Sequence, residues 1–523
     1  MRLGPLLTAF VVAGCQVTPP LLPPAPPSIS PEVRARFMSG QMTRDQRGPV
    51  LLLGTPTAVG APAIKSASER ARAVAPLTEK PLELKDVLIS VEMQFPLILA
   101  ALTEVAAAEG RLLEARGGFD TRLKSATKID AQGFYESQRY DVGLEQPTTL
   151  WGATLSTGYR RGSGDFAVYD GESKTNDGGE FRLGVTLPLL QGRRIDPNRV
   201  AVWRSLIERE QAEPLVARKR LETTRKAADA YWKWMSAGQR RGIMRHLLAL
   251  AEDRRTQVEL GVGEGLLAPI TAADNQRSVV ERQSNLLLAE RAMQQAAIEL
   301  SLYSRDADGR PIVPPDARLP SAFPAARVPE EIRVDDDVRL ALTRRPEIQA
   351  LELDLAGLQL EQDLARNEFL PALDVGVFGS QDVGGDANSP DDKSRFELEV
   401  GVRLEVPFQQ RTARGKLAAI EAKANKMGLE LQFVRELVAA DVSDSVSALT
   451  QSWQRLGQAH ENVQLADELA GAERLQFEVG ESDLFRVNVR EQQAALAAAD
   501  HVDVQAEYFR ALARYYTVLG VPY

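Results

Sequence analysis

The 523-residue chain has few of the residues that build disulfide-bonded, metal-binding or helical membrane proteins. It has one cysteine, Cys15, so no disulfide can form within the chain. Its three histidines, His246, His460 and His501, lie far apart, and none has a metal-type partner at close spacing. Beyond the N-terminus there is no run of eighteen apolar residues, which argues against a transmembrane helix. A membrane role would therefore depend on strands or on an attached lipid.

Cationic surface and nucleotide-binding loops are also scarce. The formal net charge of −9 disfavours nucleic acid as a partner. The glycines from Gly261 to Gly265 follow a predicted helix rather than a strand, so they do not form a dinucleotide-binding loop. The segment Gly376–Gly385 has no lysine and no helix after it, which excludes a phosphate-binding loop. We therefore expect no enzymatic activity, no cofactor and no metal.

The clearest strand pattern lies at Phe396–Val406, which reads F-E-L-E-V-G-V-R-L-E-V. Apolar and polar residues alternate strictly, as in a β-strand with two different faces. A tilted strand needs about this length to cross a bilayer, and the charges on the second face require water. Pro407 ends the strand, because proline donates no hydrogen bond to a neighbouring strand. The pattern indicates a membrane strand between lipid and water, although a soluble sheet joined to a coiled coil shows the same alternation.

A very long helix is predicted directly after this strand. Residues Arg411–Phe477 contain no proline and are rich in alanine, leucine and charged residues, so a single helix of about 100 Å is expected. Similar periodicity predicts the other helices at 82–116, 197–260, 268–303, 335–368 and 483–519. The other strands are predicted at 119–129, 140–146, 151–159, 181–187 and 370–379.

These elements follow the same order twice: helix, strands, proline, long helix, glycine turn and shorter helix. Gly265 and Gly480 are separated by the same number of residues as Phe181 and Phe396. Tandem duplication explains this spacing more simply than two unrelated segments with the same punctuation. The predicted organisation is a signal peptide (1–14), an acylated cysteine and proline-rich linker (15–81), repeat 1 (82–305), an inter-repeat linker (306–334) and repeat 2 (335–523).

The N-terminus has the pattern of a bacterial lipoprotein signal. Arg2 precedes a short apolar run from Leu6 to Ala13, and the small residues Ala13 and Gly14 precede Cys15. We interpret Cys15 as the acylated residue. A buried free cysteine in a short helix is the alternative.

Several segments resemble the TolC-type outer-membrane efflux proteins. The segment Phe477–Phe485, F-E-V-G-E-S-D-L-F, and the residues from Tyr508 to Gly520 resemble the C-terminal motif of that family. Leu260–Leu302 carries the same pattern in the first repeat, and Pro188 and Pro407 mark similar strand–helix junctions. With the lipoprotein-like start, the resemblance is to the lipoprotein branch of the family.

The resemblance implies a mainly α-helical homotrimer built from two tandem repeats. Its long antiparallel helices would form a hollow α-barrel, and its strands one shared twelve-stranded outer-membrane β-barrel, four strands from each chain. Independently, a few strands cannot close a barrel alone, and open strand edges are not tolerated in lipid. Because repeat 1 shows four strand-like segments, Tyr140–Tyr159 is interpreted as an extracellular hairpin.

The resemblance also places the helix turns at a periplasmic tip that closes the duct and contacts a periplasmic adaptor protein. Asp274, Arg486 and Arg490 are candidates for a mixed or cationic constriction, whereas many relatives have acidic residues there. Charges on a solvated helix face are the alternative for each of them. The predicted tip residues are Gly261, Gly265, Leu266, Leu267, Gly480, Asp483, Leu484 and Phe485.

The predicted function is a passive exit duct in the outer membrane, anchored by lipid and extending into the periplasm. An inner-membrane transporter would supply cargo and energy in a tripartite efflux or type I secretion system. The alternative is a lipid-anchored coiled-coil scaffold that spans the periplasm without conducting.

Overall fold

A computed structural model describes residues 80–167, 174–265, 267–327, 333–385 and 393–523. Cys15, the predicted signal peptide and nearly all of the predicted linker 15–81 lie outside these ranges. Within them the chain forms two compact units. Ala107–Gln211 and Glu352–Leu429 form the strand unit, and 80–106, Ala212–Leu351 and Glu430–Tyr523 form the helical unit.

The strand unit contains one antiparallel sheet in which six strands follow each other in chain order. The predicted strands are all present, with ends shifted by a few residues. Trp151, predicted within a strand, instead lies in a turn with φ of 53°. The strands are β1 (Arg122–Asp130), β2 (Ser137–Pro147), β3 (Thr154–Gly164), β4 (Glu180–Pro188), β5 (Ala372–Asp382) and β6 (Glu397–Glu405).

The number of strands corrects the expectation drawn from the family resemblance. That resemblance implied four strands per chain, with Tyr140–Tyr159 as a hairpin apart from the barrel. Instead β2 pairs with β1 over nine residues and with β3 over eleven, so the hairpin is an integral part of the sheet. With six strands per chain, twelve strands no longer follow from three chains. Alternation alone did not reveal which strands pair with each other.

The sheet has an apolar face and a polar face, because residues paired across neighbouring strands point to the same side. Charged residues are concentrated on one side and large apolar residues on the other. The polar face carries Arg122, Lys124, Lys128, Asp130, Arg139, Asp141, Glu145, Arg160, Glu180, Arg182, Asp374, Glu397, Glu399, Arg403 and Glu405. The apolar face carries Leu123, Ile129, Tyr140, Val142, Leu144, Leu155, Tyr159, Phe181, Leu183, Val185, Leu187, Leu373, Val375, Val377, Leu398, Val400, Val402 and Leu404.

Two of the predicted helices are each broken into a pair. Phe95 and Arg345 adopt extended ψ values of 122° and 120° because a proline follows each of them. The predictions of single helices at 82–116 and 335–368 are therefore wrong. The helices are α1 (Leu84–Gln94), α2 (Pro96–Arg116), α3 (Pro197–Gly263), α4 (Pro269–Ser301), α5 (Val334–Arg344), α6 (Pro346–Asn367), α7 (Arg411–Glu478) and α8 (Leu484–Val518).

The core of the helical unit is built around aromatic rings. Trp232 on α3 stacks on Phe509 of α8, with ring centroids 4.4 Å apart, and on Phe323 at 5.8 Å. Phe323 and Leu319 belong to the predicted inter-repeat linker, so this segment contributes to the core. Tyr231 donates a hydrogen bond to the Leu82 carbonyl at 2.9 Å. Helices and connecting segment are thereby joined in one cluster.

Among the described residues, Leu84–Phe119 is the segment long and apolar enough to cross a membrane as a helix. It contains no eighteen consecutive apolar residues, but its mean hydropathy is high because its polar residues are isolated. A core helix meets the same criterion, and Val87, Val91 and Ile98 are buried in the helical unit. The break at Phe95 also interrupts it.

Candidate functional site

Pro188 and Pro407, the predicted strand–helix junctions, lie at the ends of strands. Pro188 is the last residue of β4, and Pro407 follows β6 by one residue. After Pro188, the backbone N–H of Gly192 donates to the side-chain oxygen of Asn367 on α6 at 2.8 Å. The Arg199 guanidinium donates to the Gly192 carbonyl at 2.7 Å. Strand and helix are thus joined by hydrogen bonds from both halves of the chain.

The polar face carries a belt of ion pairs with alternating sign. Asp141 accepts from Arg139 at 2.6 Å and from Arg160 at 2.9 Å. Glu180 lies 3.6 Å from both Arg160 and Arg182, and Arg182 reaches Glu399 on β6 at 3.4 Å. We call these six residues (Arg139, Asp141, Arg160, Glu180, Arg182 and Glu399) the strand belt. Because each charge has neighbours of opposite sign, the belt is a polar network of low net charge.

The polar face of the sheet lines a cavity. Lys124, Asp141, Arg160, Arg182 and Glu399 are among the residues that line a cavity of about 890 Å³. The apolar face, in contrast, exposes large side chains such as Leu183 and Leu398, each 66% exposed. A surface of this kind needs an apolar solvent, whereas the opposite face needs water.

The first predicted tip turn joins α3 to α4. Gly265 has φ of +76°, and the Leu267 N–H donates to the Gly261 carbonyl at 3.1 Å. A Cβ atom on Gly261 would lie 2.9 Å from Leu267 Cδ1, so close approach requires glycine there. Ala268 precedes α4 and offers no side-chain cap. Leu266 lies outside the described residues.

The second predicted tip turn joins α7 to α8 and is capped more completely. Gly480 has φ of +82°, and the Glu481 N–H donates to the Gln476 carbonyl at 2.8 Å. Asp483 caps α8 by accepting from the Arg486 N–H at 2.8 Å. Leu484 is buried, whereas Phe485 is 66% exposed. Of the two predicted contact residues, only Phe485 offers an apolar surface to a partner.

The three constriction candidates lie on the first turns of α4 and α8. Asp274 is exposed. Arg486 is exposed and lies 3.7 Å from Asp483. Arg490 is half-buried, lies 3.9 Å from Glu473 and donates to Gln493 at 3.2 Å. Within this chain they do not converge on one group.

A buried ion cluster near these turns was not anticipated from the sequence. Glu491 on α8 is only 3% exposed. It accepts from Arg254 of α3 at 2.6 Å and from Arg282 of α4 at 3.3 Å, and Arg474 of α7 approaches it within 3.6 Å. Four helices therefore converge on one carboxylate. We call Glu491 and these three arginines the buried cluster.

Arg282 is itself buried, and burial lowers the pKa of its guanidinium, an effect that the charge of Glu491 opposes. It also donates to the Leu247 carbonyl at 2.8 Å, which completes its hydrogen bonding. Helical spacing could have identified the cluster, since Glu491 follows the buried residues Leu484 and Val487 on the same face of α8. Within the part of the chain that the structure describes, no group of three or more metal-type ligands comes together.

The sheet has one apolar and one charged face and is joined through prolines to helices of 67 and 68 residues. This architecture fits a strand-and-helix channel protein of the outer membrane. Residues 338–521 match the family model described as outer membrane efflux protein. The matched segment lies within the second predicted repeat, 335–523. No curated protein matches the sequence.

Solved structures of outer-membrane channels share the fold. The channel OprN is 16% identical, with a TM-score of 0.61 covering 90% of this chain and 98% of that one. VceC from Vibrio cholerae is 15% identical, with a TM-score of 0.58 covering 84% and 96%. The open state of the Neisseria gonorrhoeae MtrE channel is 16% identical, with a TM-score of 0.59 covering 86% and 93%.

Proposed function

We infer that the protein is an outer-membrane channel of a tripartite efflux system. It conducts solutes passively from the periplasm to the exterior, and its own residues perform no bond chemistry. An inner-membrane transporter supplies the energy. Efflux and type I secretion both use such a duct, and the pump chooses the cargo.

The observation that carries this proposal is the two-faced sheet with open edges. β1 and β6 each lack a strand partner on their outer side within the described residues. Unpaired backbone groups cost several kcal/mol each in lipid, so such a sheet is stable in a bilayer only when it closes with other copies. A homotrimer closes it, and the charged face then surrounds water.

Planar-bilayer conductance tests the channel directly. Purified full-length protein should give discrete single-channel currents, because the polar face lines a continuous aqueous path. Arg182→Glu, which reverses a charge of the strand belt, should shift the ion selectivity of these currents. Arg209→Glu, on α3 outside the sheet, is the matched control. Complete absence of current from intact oligomers would favour the non-conducting scaffold.

We also propose that a lipid on Cys15 anchors the protein in the outer membrane. The residues around it match an acylation site, and the following proline-rich segment would allow the folded body to stand away from the anchor. Cys15→Ala should abolish incorporation of labelled palmitate. Palmitate in the variant would disprove acylation at this residue.

The two tip turns are proposed to bind a periplasmic adaptor through apolar contacts. Leu260, Ile270, Val479 and Phe485, all next to these turns, are each more than 60% exposed. Phe485→Glu should therefore impair export while leaving the oligomer intact. Phe134→Glu, which alters an exposed phenylalanine in the β1–β2 turn, is the control. Unchanged export in the Phe485 variant would argue against docking at this turn.

A further inference from the structure

We propose that all six strands of each copy enter the wall of the barrel, so that three copies close an eighteen-stranded barrel through a seam between β1 and β6. The inference rests on the proposed homotrimer. It departs from the twelve-stranded barrel that the family resemblance implied, because each sheet has two strands more than the four expected.

The β2–β3 hairpin has the surface of a membrane-spanning hairpin. Its strands are eleven residues long, within the range that a tilted strand needs to cross a bilayer. Val142 and Leu144 are exposed on the apolar face, and Asp141 and Arg160 pair on the polar face. The hairpin therefore repeats the two-faced pattern of its neighbours.

The turn of this hairpin is held at the base of the sheet. The Arg193 guanidinium, after β4, lies 5.8 Å from the ring centre of Trp151 in the turn. A Cβ atom on Gly152 would lie 2.7 Å from the Gly192 carbonyl oxygen, so the turn packs closely on the β4–α3 junction. At the opposite end of the hairpin, the Asp165 N–H donates to the Glu136 carbonyl at 2.8 Å. These contacts make β2 and β3 full-height members of the wall.

The two open edges of the sheet carry opposite charge on the polar face. On β1 the polar face has three basic residues, Arg122, Lys124 and Lys128, and one acidic residue, Asp130. On β6 it has three glutamates and one basic residue, Arg403. All nine residues of β6 except Gly401 are exposed, and β1 is exposed up to its last residue. An edge of one sign facing an edge of the other favours a second copy of this chain as the occupant.

The sheet register is compatible with an alignment of this seam that gives the tilt of a membrane barrel. Following the paired residues across all six strands, Arg122 of β1 lies in the same row as Glu399 of β6. If Glu405 instead pairs with Arg122 of the next copy, the row is shifted by about six residues over six strands, or about one residue per strand. This shift corresponds to a strand tilt of about 35° from the barrel axis. That value lies at the lower end of the range for membrane barrels.

In this alignment Glu405 faces Arg122 of the next copy, and Glu399 faces Lys128. Glu397 lies opposite Asp130, whose charge is paired with Lys128 of its own chain at 3.2 Å. Arg403 meets Lys124 in the same seam, but Lys124 has Glu145 as an ion-pair partner within its own chain. Ala126 and Gly401 lie opposite each other. The apolar faces also continue without interruption, which a shift of one residue would prevent.

The consequence is a wider exit. Barrel diameter grows roughly linearly with strand number, so eighteen strands make a wall about one and a half times as wide as twelve. Barrels of this size leave an aqueous channel. The outer-membrane part would then accommodate hydrated cargo bulkier than a twelve-stranded wall admits.

Cysteine cross-linking tests the seam. Oxidation of the double variant Ala126→Cys/Gly401→Cys should give covalent dimers and trimers on a denaturing gel, and neither single variant should. The wild-type protein, whose one cysteine is Cys15, is the control for cross-links through that residue. Trimeric particles without covalent product in the double variant would overturn the β1–β6 alignment.

Charge reversal separates the seam from general folding. Arg122→Glu and Glu405→Arg should each reduce the recovered trimer several-fold, and their combination should restore it. Equal loss in the double variant would contradict this pairing.

A cryo-electron microscopy map of the full-length protein in nanodiscs tests the strand number. We expect eighteen strands around the wall. A ring of twelve strands, with the β2–β3 hairpin outside it or with only two copies present, would overturn the proposal. Channel currents measured on the same sample would remain if only this inference fails, and would be absent if the proposed function fails.

Discussion

The strand belt and the buried cluster use the same chemistry in two different solvents. In the strand belt, Asp141 and Arg182 are about 30% exposed and border a hollow. In the buried cluster, Glu491 is 1% exposed at its side chain and touches arginines from three other helices. Water reaches Asp141 and Arg182 in the first network, whereas Glu491 in the second must satisfy its charge with protein groups. The geometry of the pairs is similar, so burial decides how much each contributes to stability.

The largest expected effect is removal of the buried carboxylate. Glu491→Ala should destabilise the protein by about 3–5 kcal/mol, because it leaves buried arginines without a counter-charge. Denaturant unfolding followed by far-UV circular dichroism measures this. Glu478→Ala, at the end of α7, is the control and should be near neutral. A loss below about 1 kcal/mol from Glu491→Ala would show that water reaches the cluster.

A second prediction separates burial from location. Asp483 is an exposed carboxylate in the same helical unit, and its role is to cap α8. Asp483→Ala should cost about 1 kcal/mol, the usual value for a lost N-cap. Arg486→Ala keeps the cap and removes only an exposed ion pair, so it should cost less. Equal losses in the two variants would assign the effect to the ion pair.

Within the strand belt, Asp141→Asn should cost about 1 kcal/mol or less, because solvent screens its two ion pairs. The loss should shrink further at high salt, whereas the loss from Glu491→Ala should change little. Thermal unfolding of both variants at low and high salt measures the difference. The same salt response in both would erase the distinction between the two networks.

The smallest expected effect is the pH dependence of stability that comes from His501, a partly buried histidine. Burial, and secondly His460, hold the pKa of His501 below its usual value of 6.5. The unfolded chain therefore binds the proton more readily, so stability should fall as the pH drops below 6.5 towards the folded-state pKa. His501→Gln should flatten this part of the thermal stability profile. A steeper fall in the variant would mean that the imidazolium is stabilised in the fold.

Much of the architecture was predicted from local pattern. Alternation identified the strands around Phe181 and Phe396, and the helix from Arg411 was predicted to within one residue of its end. The breaks at Phe95 and Arg345 were missed because hydrophobic periodicity continues across Pro96 and Pro346. The effect of each proline on the preceding residue could have revealed them.

The candidate site was predicted less completely. The turns at Gly265 and Gly480 were predicted, and both glycines have positive φ. The sequence did not predict that Leu484 is buried and Phe485 exposed. Both are apolar residues at the start of α8, and only packing against other helices decides which of them is buried. Glu491 shares a helix face with Leu484 and Val487, but spacing alone does not show that arginines from three other helices meet that face.

The sequence by itself determined the strand faces and the long helices, because hydrophobic period, proline and glycine act over a few residues. Only the tertiary structure decided that six strands share one sheet and that three arginines surround Glu491. Pairing and burial depend on residues more than two hundred positions apart, such as Arg182 and Glu399 or Arg254 and Glu491, which no local pattern brings together.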